Sequence, residues 1–488
     1  MRTYPAAPED FAKNRLGIRG VILALVFTAL YFAAYTYLGT RMLHLLLAGL
    51  VVIAAILVYP RPGSWLPVLP VLFVLGGPTI PTGDFNPALA TIIMLIFTVY
   101  YFMDRVVWNR PLFVPSPYLG LLLWAFLLQT VSVFISIHVH EQHTMNAIRD
   151  GSSVFTFAPL AVMIPVLCRS KDDIRRLHRA AVAAVLVVSL IGVVQYFGIE
   201  GFSRADVGIG YVYRGRIASV FGNPNIFAGY LELGIPPSIA LFFLEKKMKW
   251  KAVALAAVFL GLMSVLYTFS RGGLLAAFVG SGLTLLYIYR RKIWVPVTMG
   301  MAAVGLLIMS AGTFERQMSF FLDPEQSFTQ PTLLHRYVTY KGFLQQVREA
   351  PLTGVGYGAR EHYWGGSRLY SFWEVRFVRS TQPILRFGGL NSLFLNNAVK
   401  GGVISLASVL IMLAAIFAAF YRVIRKGEVF GILAVAITAG IFSFMVHQLV
   451  GNQIRFPTVN SFFWYNTGIL LAIAALIGRR ELKDASDT

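Results

Sequence analysis

VILALVFTALYFAAYTYLG (21–39) is followed after two residues by MLHLLLAGLVVIAAILVY (42–59). Each run is close to the roughly twenty apolar residues that carry an α-helix across a hydrocarbon core. Lipid offers no hydrogen bonds, so a spanning backbone must satisfy its own, and runs of this length dictate helices. Comparable runs recur along all 488 residues, of which 57% are hydrophobic and 13% charged. Soluble domains carry roughly 25% charged residues, and the mean hydropathy here is +0.67. The composition therefore predicts an all-α polytopic membrane protein of about 12–14 transmembrane helices, with one large hydrophilic loop.

Spans are expected at roughly 20–39, 42–59, 64–80, 87–103, 117–137, 152–168, 180–198, 223–244, 251–268, 273–289, 293–311, 391–420, 429–449 and 461–478. The first is too long for a cleaved signal and reads as a retained anchor. Cys168, the single cysteine, has no intramolecular partner. The chain divides into N-terminal membrane helices (1–311), a long loop (312–390) and C-terminal helices with a short tail (391–488).

A formal charge of +20 raises nucleic acid as a partner, but its distribution argues otherwise. Basic clusters such as Arg175, Arg176 and Arg179, Lys246 to Lys251, Arg290 to Lys292, and Arg479 to Lys483 fall in alternate connections, on one side of the predicted membrane. By the positive-inside rule that side is cytoplasmic and holds both termini. The cations expected on the other face are almost all arginines, with Lys341 and Lys400 the lysines in or beside them. The guanidinium fork binds phosphate or carboxylate oxygens in pairs, so this face is expected to meet an anionic ligand.

In YTFSRGGLLAAF (267–278), Arg271 stands between two apolar stretches, with Ser270 as a helix cap and Gly272 and Gly273 allowing close backbone approach. A helix N-terminus beside an arginine makes an anion site, with snorkelling to headgroups the alternative. In YRGRIASVFGNPNIFAGYL (213–231), Arg214 and Arg216 lead into Asn223, Pro224 and Asn225, where the proline suits a first helical turn. The amides could equally form an interhelical hydrogen-bond cluster.

These two stretches, HRYVTYKGFLQQVREAPLTGVGYG (335–358) and LNSLFLNNAVKGGVISL (390–406) come in an order that resembles the O-antigen ligase and Wzy-type polymerase superfamily of bacterial glycosyltransferases, over about 150–478. The resemblance implies a helical fold of the GT-C kind in the bacterial inner membrane, with a large periplasmic loop and a periplasmic active site. It also implies transfer of a glycan from undecaprenyl diphosphate to a sugar hydroxyl. Its partners would be the lipid-linked donor, an acceptor glycan, membrane lipid, and the flippase and chain-length regulator of the same pathway. Arg214, Arg216, Asn225, Arg271, Arg336 and Arg386 are the expected diphosphate and glycan ligands.

The family usually carries a histidine just before the asparagine that opens the helix after the loop. Here Leu390 precedes Asn391. The acceptor's proton is therefore expected to go elsewhere, with His362, Glu361 and Asn391 the chosen candidates and His335, Glu374 and His447 alongside them. Tyr363, Trp364 and Trp373 suit stacking on sugars or an interfacial belt. Asp323 and Glu325 read as a turn and HVHEQH (138–143) as a solvated loop, so neither metal nor cofactor is expected. Polymerisation of repeat units is the leading reading and ligation to lipid A core the runner-up. A lipid-linked glycan transporter is disfavoured because no internal repeat is visible.

Overall fold

The computed structural model describes residues 62–75, 89–197, 216–290, 340, 342–358, 392–426 and 430–486. Eight helices among the described residues are long and apolar enough to cross a membrane, and the chain is an all-α polytopic membrane protein. The expected spans 20–39, 42–59 and 293–311, and residues 312–339, 341 and 359–390 of the loop, lie outside the described residues.

The short helix α1 (Leu69–Leu75) comes first, and α2 (Leu89–Val107) and α3 (Pro117–His138) follow. Ser116 caps α3 by accepting from the Leu119 amide, with Pro117 in the first turn where its missing donor does no harm. Next come α4 (Thr144–Gly151) and α5 (Pro159–Leu167). The sequence predicts one span over 152–168; instead 152–158 is a run of turns and α5 has nine residues. Irregular backbone persists at this depth only where protein supplies its hydrogen bonds. Asn460 does so, donating to the Ser153 and Val154 carbonyls at 3.0 and 2.8 Å, and the Trp464 indole donates to Val154 at 2.8 Å.

A reciprocal cap between Ser170 and Asp173 opens α6 (Lys171–Tyr196). The centre of the bundle is α7 (Pro224–Leu244), flanked by α8 (Met248–Thr268) and α9 (Arg271–Ile288). In α7, 89% of the most apolar window is buried, against 28–50% in the neighbouring spans α6, α8 and α9. Pro236 and Pro237 release the Glu232 and Leu233 carbonyls from their helical partners. Asn466 donates to the Leu233 oxygen at 3.4 Å, and Gly440 brings a second helix against both carbonyls.

The last three helices are α10 (Leu393–Arg425), α11 (Gly431–His447) and α12 (Pro457–Ser486). α10 breaks at Gly402, where φ is 62° and a β-carbon would stand 2.2 Å from the Leu352 oxygen, so only glycine fits. Val355 and Gly356 donate to the Val399 and Lys400 carbonyls, and Val403 donates to Pro351, which docks the end of the long loop on the break. Beneath it, the Tyr357 hydroxyl lies among Asn397, Ser405 and Gln129, with burial pushing it well above the usual phenol range. Lys400 pairs with Asp150.

At the other end of α7, Arg179 grips Glu245 through two bonds of 2.8 Å and lies over Trp250. Burial alone raises the Glu245 carboxyl, but the Arg179 fork outweighs it and holds the group below its ordinary 4.5. A depressed folded-state pKa adds stability above the unfolded value, which is lost as pH falls through the folded one. Arg179→Ala removes both short bonds and leaves the buried carboxylate only Arg175 at 3.9 Å, and should lower stability by about 3 kcal/mol at neutral pH. Thermal unfolding in nanodiscs should show that loss shrinking as pH falls below the ordinary carboxylate range.

Candidate functional site

The carbonyl of Thr268, at the end of α8, accepts from Arg216 Nε at 2.7 Å, and Asn225 Oδ1 accepts from Arg216 Nη2 at 3.0 Å. Three residues beyond Thr268, Arg271 begins α9 and is exposed. Between them Phe269 turns the chain with φ of 50°, and Ser270 caps α9 by accepting from the Gly273 amide. The expected cap, the proline at the first turn of α7 and the approach of Arg216 to the Arg271 turn are all present. Asn223 caps α7 by accepting from the Asn225 amide at 2.8 Å.

Segment 216–219 is held from the α6 side. Gln195 Oε1 accepts from the Ala218 and Ser219 amides, both at 2.9 Å, while the Ile217 amide donates to Tyr267. A short connection with fixed ends thus aims Arg216 at the α8–α9 corner. Its guanidinium is locked, whereas Arg271 faces outward from a helix start whose amides favour anions.

Directly behind this corner lies a pair of groups inside the bundle. Glu232 of α7 is fully buried, with Oε1 2.7 Å from Nδ1 of His447 at the end of α11. Glu232 Oε2 has no hydrogen-bond partner. A carboxyl oxygen accepting from Nδ1–H leaves Nε2 as an acceptor, and Gln453 Nε2 lies 3.4 Å from it. A β-carbon on Gly272 would be 2.6 Å from His447 Nε2, and one on Gly273 would be 3.2 Å from Glu232 Oε1. The SRGG glycines therefore let the start of α9 rest on this pair.

The chain that returns from the long loop reaches the same place. Ser392 caps α10, and the Leu393 amide donates to both the Gln448 and Gly451 carbonyls at 2.9 Å. Tyr340 donates to the Leu449 carbonyl at 3.4 Å. Four sequence regions thus converge with the 447–453 turn at one end of the bundle. Arg216, Asn225 and Arg271 belong to that convergence. Arg214, Arg336, Glu361, His362, Arg386 and Asn391 lie outside the described residues. The HVHEQH stretch, expected as a solvated loop, packs its His140 and Gln142 against the GVGYG turn at Gly356.

Glu232, Gln195 and Gln453 escaped the sequence reading. Glu232 carried the strongest signal, being an acid within the apolar run GYLELGIPP (229–237). The glutamines act on local backbone and ring atoms, which a lone sequence does not bring together. Gly272→Ala should drive a methyl into the His447 ring and lower stability by about 1–3 kcal/mol. Gly282→Ala on the same helix meets nothing within 4 Å and should raise stability by about 0.5–1 kcal/mol. Thermal unfolding of both variants in nanodiscs checks the contrast.

Comparison with known proteins adds a family. Residues 256–410 match the family model described as O-antigen ligase, a stretch that runs from α8 through the start of α9 and the loop to α10. A search of curated proteins finds no match. Over that stretch the match supports the resemblance to the O-antigen ligase and Wzy-type superfamily.

Proposed function

We propose that the chain is a glycosyltransferase that polymerises repeat units of a secreted or surface polysaccharide, using an undecaprenyl-diphosphate-linked glycan as donor in the inner membrane. In the transfer, the bond from the anomeric carbon to the phosphate oxygen breaks and a bond from that carbon to the acceptor hydroxyl oxygen forms. The hydroxyl proton passes to a base, and the diphosphate leaves on its polyprenyl chain. Charge developing on the diphosphate needs fixed donors close by. The observation that carries this reading is the anchoring of Arg216 on Thr268 and Asn225, three residues before the exposed Arg271 at a capped helix start.

On this proposal Arg216 and Arg271 hold the diphosphate, and Arg214, Arg336 and Arg386 join them. Two histidines compete for the acceptor proton. His362, with Glu361 and Asn391, would take it from the loop side; His447, backed by Glu232, would take it from within the bundle. Ligation to lipid A core is the second reading, favoured by the match of residues 256–410 to a family described as O-antigen ligase.

Purified protein incubated with lipid-linked repeat units should give longer lipid-linked chains. Transfer only to a lipid A core assigns a ligase, and intact substrate with both acceptors counts against transfer. Arg216→Ala and Arg271→Ala should each lower transfer at least about 100-fold with folding preserved, and full activity in both overturns the clamp. Loss of transfer in either His362→Ala or His447→Ala identifies the base. Cysteine labelling of Arg271→Cys in whole cells tests the periplasmic orientation. Cys168 should stay silent there, because burial pushes its thiol up to about 12.

A further inference from the structure

At the opposite end of the bundle, a cavity of about 400 Å³ lies among the end of α2, the connection to α3, the end of α5 and α12. Arg479, which lines it, is 22 residues beyond Pro457 on α12, about 33 Å along the helix from the turn at residues 447–455. It is therefore separate from the corner that holds Arg216 and Arg271. Arg105, Arg169 and Arg479 all line the cavity.

These three arginines are not equally served. Arg479 donates to the Cys168 and Pro165 carbonyls at 3.3 and 3.0 Å, and Arg169 is exposed. Arg105 is only 3% exposed, yet its Nε and Nη1 have no hydrogen-bond partner. Its nearest acid, Asp104, lies 3.4 Å from Nε and is shared with Arg110 at 3.3 Å. Arg105 also lies 5.2 Å from the centre of the Tyr101 ring. Asp173 on the next helix accepts from the Arg169 and Ser170 amides. The cavity thus has a surplus of positive charge and buried donors to spare, which calls for an anion.

The remaining walls indicate what kind of anion. Phe113, Val114 and Val166 line the same space, and a free phosphate gains nothing from apolar walls. Trp108, 65% exposed one turn past Asp104, marks the headgroup level where amphipathic rings settle. We propose that this cavity binds the phosphate of an anionic phospholipid, with Arg105, Arg169 and Arg479 around the phosphodiester and the apolar wall against the glycerol and first methylenes. The site is independent of glycosyl transfer and is tested without donor.

Full-length protein in a neutral detergent is titrated with phosphatidylglycerol, phosphatidylcholine or inorganic phosphate, and thermal unfolding is followed. Phosphatidylglycerol should raise the midpoint while the other two leave it unchanged. The exposed Arg169→Gln variant, which leaves Arg105 and Arg479 in place, and the Arg479→Gln variant should both lose that rise. Native mass spectrometry should show retained phosphatidylglycerol on the parent chain and its loss from both variants. An equal rise with inorganic phosphate assigns a free anion and overturns the lipid. A rise with phosphatidylcholine, no rise at all, or an undiminished rise in both variants overturns the site.

Discussion

The architecture depends on partnering a central helix that cannot satisfy itself. α7 carries two consecutive prolines and a buried acid, and each creates a polar demand in a setting where water does not answer it. Neighbouring helices answer much of that demand. Asn466 of α12 donates to the released Leu233 carbonyl, Gly440 of α11 packs close against both released carbonyls, His178 of α6 reaches the Pro237 oxygen at 2.7 Å, and His447 of α11 faces Glu232. Polar bonds among apolar helices set which helices neighbour α7 and in what register, which packing of similar aliphatic faces leaves open.

The same demand places the candidate site. Because Glu232 needs His447, and His447 sits at the end of α11, the 447–453 turn is drawn to the start of α9. Leu393 then ties the start of α10 to that turn. Arg216 and Arg271 hold different positions at this corner. One is locked by a carbonyl and an amide, which fixes where its charge lies, and the other is exposed at a capped helix start.

Charge follows a second logic at the far end of the bundle. Arg179 neutralises Glu245 and fastens α6 to the α7–α8 connection, so part of the basic excess there is structural and not only topological. Arg105 has a weaker carboxylate contact and spare buried donors. Two arginines therefore differ in their contacts: Arg179 meets a carboxylate from another helix, and Arg105 lines a cavity.

The sequence by itself determined the helical class, most span positions among the described residues, the proline in the first turn of α7 and the cap of α9. Those features rest on local length, composition and caps, and these act within a few residues. It misjudged 152–168, because nothing local reveals that Asn460 and Trp464, some three hundred positions away, will satisfy an irregular backbone. It passed over Glu232 because an acid in an apolar helix is interpretable only with its partner, and that partner lies 215 positions on. Only the tertiary structure decided which polar groups meet, since a buried hydrogen bond depends on neighbours brought together across helices and not along one.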